Sequence, residues 1–188
     1  MDRRERRTFL GISGSVHAPN YQPSDIGVNS MKIIRVEITN RGYEFHLNGY
    51  LEYLKKIETD LPRETYEFAA APWHYDFRDP KCPHDSWIDS INIKETDMDG
   101  TRVATLHILS IGAYTNGRFL IEYQDLKRYT LNFDCNNIIA NSSPHGDWLI
   151  DEISLSEEKE VVHEIQFQFG SILIVCARVK YEWTASTD

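Results

Sequence analysis

Apolar and polar residues alternate along most of the chain after residue 86, which is the pattern of strands that bury one face. The clearest case is 171–183, where every second residue from Leu173 to Trp183 is apolar. The pairs Asp99–Gly100 and Asn116–Gly117 are typical of tight hairpin turns. The pattern therefore predicts strands beginning at Trp87 and over 103–111, 119–123, 127–133, 148–155, 161–169 and 171–183.

The first half of the chain has a different pattern. One strand is predicted over 33–38, where apolar residues again alternate with polar ones. Apolar residues then recur at helical spacing over 48–58, which predicts a first helix capped by Asn48–Gly49. A second helix is predicted after Pro62 and ends at Pro72, because proline fits the first turn of a helix but ends a preceding one.

Short connections between strands favour antiparallel pairing, since parallel strands need long crossovers. The predicted fold class is therefore α+β: a meandering antiparallel sheet of about eight strands, sandwich-like or barrel-like, with two short helices near the N-terminus. Residues 31–188 are predicted to form a single domain. Residues 1–30 are rich in Gly, Pro and Ser and lack periodicity, which predicts a flexible extension or translation that starts upstream of Met31.

Composition limits the classes of function. The 188 residues are 41% hydrophobic and 12% aromatic, which indicates a folded protein, and the formal net charge is −9. An acidic protein is poorly suited to nonspecific nucleic-acid binding, so we expect no nucleic acid and, if there is a macromolecular partner, a basic protein. No apolar run is long enough to span a membrane. None has the length of the apolar region of a signal peptide either.

Those features predict a cytoplasmic protein that does not bind membranes. The number and spacing of the cysteines are consistent with that prediction. Cys82, Cys135 and Cys176 are odd in number and widely separated. They have neither zinc-site spacing nor the density of a disulfide scaffold, so we expect them to be structural.

Three histidines each have an aspartate beside or next but one to them, and a tryptophan nearby. The pairs are His74 with Asp76, His84 with Asp85, and His145 with Asp147. Two pairs lie in the predicted loop 73–85 and the third in the loop before Trp148. If a curled sheet brings both loops to one rim, imidazoles and carboxylates would converge into a site for zinc or manganese, able to activate water for hydrolysis.

The same pairs have a structural interpretation. Aspartates in turns often bond backbone amides, and a neighbouring histidine or tryptophan packs over them. His107 and His163 lie on apolar strand patterns, and we expect hydrogen-bonded core histidines there. No serine has nucleophile-elbow spacing and no cysteine lies in an activating context.

Several short pieces occur in order: 71–77 (APWHYDF), 84–87 (HDSW), 145–149 (HGDWL), 163–165 (HEI) and 181–183 (YEW). On these pieces the chain from Met31 to Trp183 resembles a group of small, uncharacterised bacterial proteins. The resemblance implies kinship and no particular activity. The sequence as a whole favours a non-enzymatic binding or accessory protein, comparable to immunity-type proteins, with a metal-dependent hydrolase as the alternative.

Overall fold

The order of helices and strands follows the hydropathy pattern. The structure is a computed structural model and describes residues 31–39, 42–134 and 143–186. Its elements in chain order are β1 (Arg35–Thr39), β2 (Gly42–His46), α1 (Asn48–Ile57), α2 (Arg63–Ala69), β3 (Trp87–Met98), β4 (Thr101–Ile111), β5 (Gly117–Phe133), β6 (Trp148–Leu155), β7 (Val161–Phe167) and β8 (Gly170–Ala185). The predicted α+β class, with two short helices ahead of a largely antiparallel sheet, is confirmed.

Six strands form one antiparallel sheet in the order β3-β4-β5-β8-β7-β6, and β1 and β2 form a separate hairpin. The centre of the sheet is the pair of long strands β5 and β8, which remain paired from Gly117–Ala185 to Phe133–Gly170. A register shift between Leu126 and Arg128 accompanies a left-handed Asp125 (φ 51°). Such a bulge bends a strand. The first half of β5 pairs with both β4 and β8, and the second half pairs with β8.

The two outer strands, β3 and β6, meet at one end of the sheet. The Asp85 amide donates to the Trp148 carbonyl (2.8 Å), and the Trp148 amide donates to the Ser86 carbonyl (3.0 Å). The Trp87 indole adds a 2.6 Å bond to the Asp147 carboxylate. The sheet therefore curls, and the curl brings the loop before β3 against the loop before β6.

Tyrosine hydroxyls cover the outer edge of β6. The Tyr50 hydroxyl, on α1, both accepts from the Ile153 amide (2.6 Å) and donates to the Ile153 carbonyl (3.1 Å). Two further bonds join the Leu155 amide to the Tyr53 hydroxyl (3.1 Å) and the Tyr75 hydroxyl to the Asp151 carbonyl (2.9 Å). These contacts satisfy edge groups that would otherwise be open to pairing with another strand.

Helix α2 packs on β8, where the Thr65 hydroxyl bonds both the amide (2.9 Å) and the carbonyl (3.1 Å) of Val179. Strands β6 and β7 are buried along nearly their whole length. The core lies between the helices and the concave face of the sheet. Its largest fully buried side chains are Trp148, Tyr50, Tyr123, Phe119 and Phe167.

Three details differ from the sequence prediction. β2 was not predicted, although Tyr43 and Phe45 alternate with polar neighbours. The predicted strands 119–123 and 127–133 are one continuous β5, because the bulge at Asp125 accommodates the polar interruption. Helix α1 begins after Leu47 without a side-chain cap, so the expected capping by Asn48 is wrong.

Some predictions fall on residues outside the described ranges. The extension 1–30 and Cys135 are among them, and no structure is assigned to them here. The other two cysteines, Cys82 and Cys176, are buried and form no disulfide within the described ranges. None of the helices in the described ranges has both the length and the apolar character needed to cross a membrane.

Candidate functional site

A buried carboxylate joins two histidines in the interior. Asp151 lies on β6, and one of its oxygens, Oδ2, is 2.9 Å from Nε2 of His74 and 2.9 Å from Nε2 of His163. The exposed fractions of the three residues are 2%, 1% and 0%. His163 lies on β7, diagonally across from Asp151, and His74 comes from the loop after α2. We call Asp151, His74 and His163 the buried triad.

Both ring nitrogens of His74 face hydrogen-bond acceptors. Nδ1 of His74 faces the Phe68 carbonyl at 2.9 Å, near the end of α2, and a carbonyl only accepts hydrogen bonds. Nε2 faces the Asp151 carboxylate, which also accepts. The backbone of α2 and the carboxylate on β6 thus hold the His74 ring from both sides.

The remaining members of the buried triad have complementary partners. The Tyr123 hydroxyl lies 2.8 Å from Nδ1 of His163, so it donates there while Nε2–H donates to Asp151. The other carboxylate oxygen, Oδ1, accepts from the Trp148 indole at 3.1 Å. Burial alone would raise the pKa of Asp151, but the charge and hydrogen bonds of His74 and His163 outweigh it and hold the pKa well below its ordinary value.

This arrangement suits stability better than catalysis. Its ionisable groups already bond one another or the backbone, and aromatic rings surround them: Phe68, Tyr75 and Trp73 beside His74, and Tyr123 and Trp148 beside His163. A general acid or base has to reach a substrate proton within hydrogen-bond distance. The buried triad offers no such exposed atom.

A second carboxylate on β6 holds the start of the domain. Glu152, fully buried, points to the face of the sheet opposite Asp151. Its oxygens accept from the amides of Lys32 (2.7 Å), Ile33 (3.1 Å) and Ile34 (2.9 Å). Its cross-strand neighbour Glu164 is also buried and lies 3.8 Å from the Lys32 amine. Burial and the nearby Glu152 charge raise the pKa of Glu164.

The residues predicted as metal ligands are only partly brought together. His84 donates from the loop before β3 towards the Leu149 carbonyl (Nδ1, 2.7 Å), stacks on Phe77, and has Nε2 3.4 Å from its neighbour Asp85. The curled sheet thus joins the two loops, as expected. The imidazole of His74, however, points inward to the buried triad and not to His84.

The other predicted ligands act locally. His145 packs against Phe133, with ring centroids 4.4 Å apart, and partial burial lowers its pKa. Asp76 accepts from the Arg78 amide (3.1 Å), and Asp147 accepts from the Trp87 indole. Asp76 thus makes the turn contact of the structural interpretation.

No cluster of three or more His, Cys, Asp or Glu side chains within the described ranges has a metal-binding arrangement. This geometry gives no support to a zinc or manganese site at His74, Asp76, His84, Asp85, His145 and Asp147. That site, and the hydrolase that depends on it, stay a hypothesis that metal analysis of the purified protein tests.

The two other conspicuous histidines differ from each other. His163 is a hydrogen-bonded core histidine, as expected. His107 is half-buried on the outer face of the sheet, where Nε2 lies 3.1 Å from the carboxylate of Glu122, so its predicted place in the core is wrong. Of the buried triad only His74 was a predicted site residue.

No protein-family model matches this chain, and neither does any curated protein or solved structure in the comparisons made. The resemblance to small bacterial proteins therefore stays a prediction.

The depressed pKa of Asp151 has a consequence for pH dependence. A carboxyl with a lower pKa in the folded state stabilises the fold above its unfolded pKa of about 3.9, and that stabilisation is lost as the pH falls towards the folded value. We expect the free energy of unfolding to decline steeply below about pH 4. Urea titrations from pH 7 to 2.5 measure it. A slope equal to that of an Asp151→Asn variant would contradict this origin.

Proposed function

We propose that this protein acts by binding another protein and not by catalysing a reaction. The observation that carries the proposal is the sealing of the buried triad, the one place among the described residues where several histidine and carboxylate groups bond together in the core. The imidazoles and the carboxylate that could transfer protons are thus engaged in internal hydrogen bonds. On the described surface, the feature available to a binding partner is exposed β-strand.

The surface proposed for binding is the outer part of the β3–β4 hairpin. β4 pairs with β5 only from Leu106 onward, whereas β3 and β4 pair with each other out to Met98 and Thr101. The hairpin therefore projects beyond the sheet, and we call residues 93–105 the ribbon. β3 residues in the ribbon are exposed on both faces, and Met98 is 63% exposed. An apolar side chain on a projecting ribbon fits a contact surface better than a core.

Charge favours a basic partner. The ribbon carries Glu95, Asp97 and Asp99 against Lys94 and Arg102, and one of those acids, Glu95, already lies 3.4 Å from Arg102. The protein as a whole has a formal net charge of −9. Complementary charge steers encounter and selects partners, while apolar anchors such as Met98 supply affinity.

Charge reversal on the ribbon tests the proposal. Glu95→Lys combined with Met98→Lys replaces one of the three acids and the apolar anchor without changing a core residue. We expect the full-length wild type to capture a basic protein from cell extract, and the ribbon variant to retain at least tenfold less of it. Quantitative mass spectrometry of the captured protein measures the ratio.

The matched control is Glu157→Lys with Glu158→Lys, in the exposed turn between β6 and β7. It changes the net charge comparably and should capture as much as the wild type. Equal loss in both variants would indicate general electrostatics, and undiminished capture by the ribbon variant would refute the ribbon as the surface. Turnover of a substrate by the metal-loaded protein would refute the non-enzymatic proposal.

A further inference from the structure

The second half of β5 has one edge that no described strand covers. Residues 126–133 pair with β8 on one side, whereas the pairing of β5 with β4 ends at Tyr123. No other strand in the described ranges pairs with that edge. Residues 127–132 are all exposed, including Tyr129 at 44% and Leu131 at 41%. A row of backbone donors and acceptors is thus open to another strand.

The exposed apolar side chains lie on the inner face of the sheet. Tyr129 and Leu131 are paired with Ile174 and Ile172, both of them buried core residues. Side chains on that face are covered elsewhere in the sheet. Tyr129 and Leu131 are left half open because β5 turns away from β4 at the bulge near Asp125. The opposite edge of the sheet, on β6, has its backbone groups capped by three tyrosine hydroxyls.

We propose that this edge pairs with the same edge of a second copy of the chain, antiparallel and centred on Thr130. In that register each residue n lies opposite residue 260 − n of the other copy, a twofold contact in which both copies use the same surface. The pairing extends the sheet of each copy across the interface through backbone hydrogen bonds.

The side chains of this edge are complementary to themselves in that register. Tyr129 lies opposite Leu131 of the second copy, an aromatic–aliphatic cross-strand pair, and Thr130 lies opposite Thr130. The antiparallel register keeps like charges apart, because Arg128 lies opposite the polar Asn132 of the second copy. A parallel arrangement would instead set Arg128 beside Arg128. Charge therefore favours the antiparallel twofold pair.

Sedimentation of the full chain tests the proposal. We expect a concentration-dependent monomer–dimer equilibrium for the wild type and at least a tenfold larger dissociation constant for Thr130→Lys, which sets two like charges face to face. The matched control is Thr184→Lys on β8, the same substitution at an exposed strand residue at the far end of the β5–β8 pair. It should leave the equilibrium unchanged.

A charge exchange tests the register. Tyr129→Lys should weaken the dimer, and adding Leu131→Glu should restore it, because Lys and Glu then face each other twice across the twofold axis. Strand circular dichroism and the unfolding midpoint show whether each variant is folded. A wild type that stays monomeric, a dimer unaffected by Thr130→Lys, or a dimer lost in Thr184→Lys would each overturn the proposal.

Discussion

Asp151→Asn is expected to lower the free energy of unfolding by about 3–5 kcal/mol, the range for breaking a buried ion pair by removing one partner. Three donors converge on this carboxylate: His74 and His163 on Oδ2 and the Trp148 indole on Oδ1. An asparagine amide group can accept at only one of those two positions, and its NH₂ group would face a donor at the other. The ring of His74 would also lose the carboxylate that faces its Nε2.

Urea denaturation at pH 7 measures this loss. If the slope of the free energy of unfolding against urea concentration is the same in both proteins, their folded and unfolded states are comparable. The matched control is Asp76→Asn, an exposed aspartate two residues from His74 whose carboxylate bonds only the Arg78 amide in the loop. It should change the free energy by no more than about 0.5 kcal/mol. A loss below about 1 kcal/mol for Asp151→Asn would mean that the buried triad contributes little.

Sequence reasoning named His74 as a site residue and expected a hydrogen-bonded core position for His163, but it did not single out Asp151, for a geometric reason. Trp148 and Asp151 are three residues apart, and strict alternation would place them on opposite faces of β6. The register shift between Trp148 and Ile150 inserts an extra residue, so the indole and the carboxylate meet on the inner face. A bulge of this kind leaves no reliable mark in a single sequence. The predicted pairs were neighbours in sequence, whereas His74 and Asp151 meet only through the curl of the sheet.

The fold was easier to predict because its signals are local. Alternation gave the exact bounds of β6, and the turn Asp99–Gly100 joins β3 to β4 as expected, with both residues at positive φ. The pairing of β5 with β8 is not local: it joins Gly117 to Ala185. Hydropathy shows that each strand buries a face but not which strand lies beside it. Strand order therefore required the structure.

Glu152→Gln is expected to lower the free energy of unfolding by about 2–3 kcal/mol and to release the segment that precedes β1. The carboxylate accepts three backbone amides, from Lys32, Ile33 and Ile34, and hydrogen bonds to a charged acceptor contribute about 1.5–3 kcal/mol each. Glutamine keeps one acceptor oxygen, but its NH₂ group must face at least one of those amides. Urea denaturation gives the global loss, and hydrogen exchange of the three amides shows the local release.

Glu164→Gln is the matched control, since it makes the same substitution directly across the strand pair. Glu164 has one oxygen without a hydrogen-bond partner, and its raised pKa means that its charge is disfavoured in the folded state. Removing that charge should leave stability at pH 7 unchanged or increased, with the three amides still protected. Equal losses in both variants would indicate that burial of either side chain, and not the capture of backbone amides by Glu152, holds residues 32–34 against the sheet.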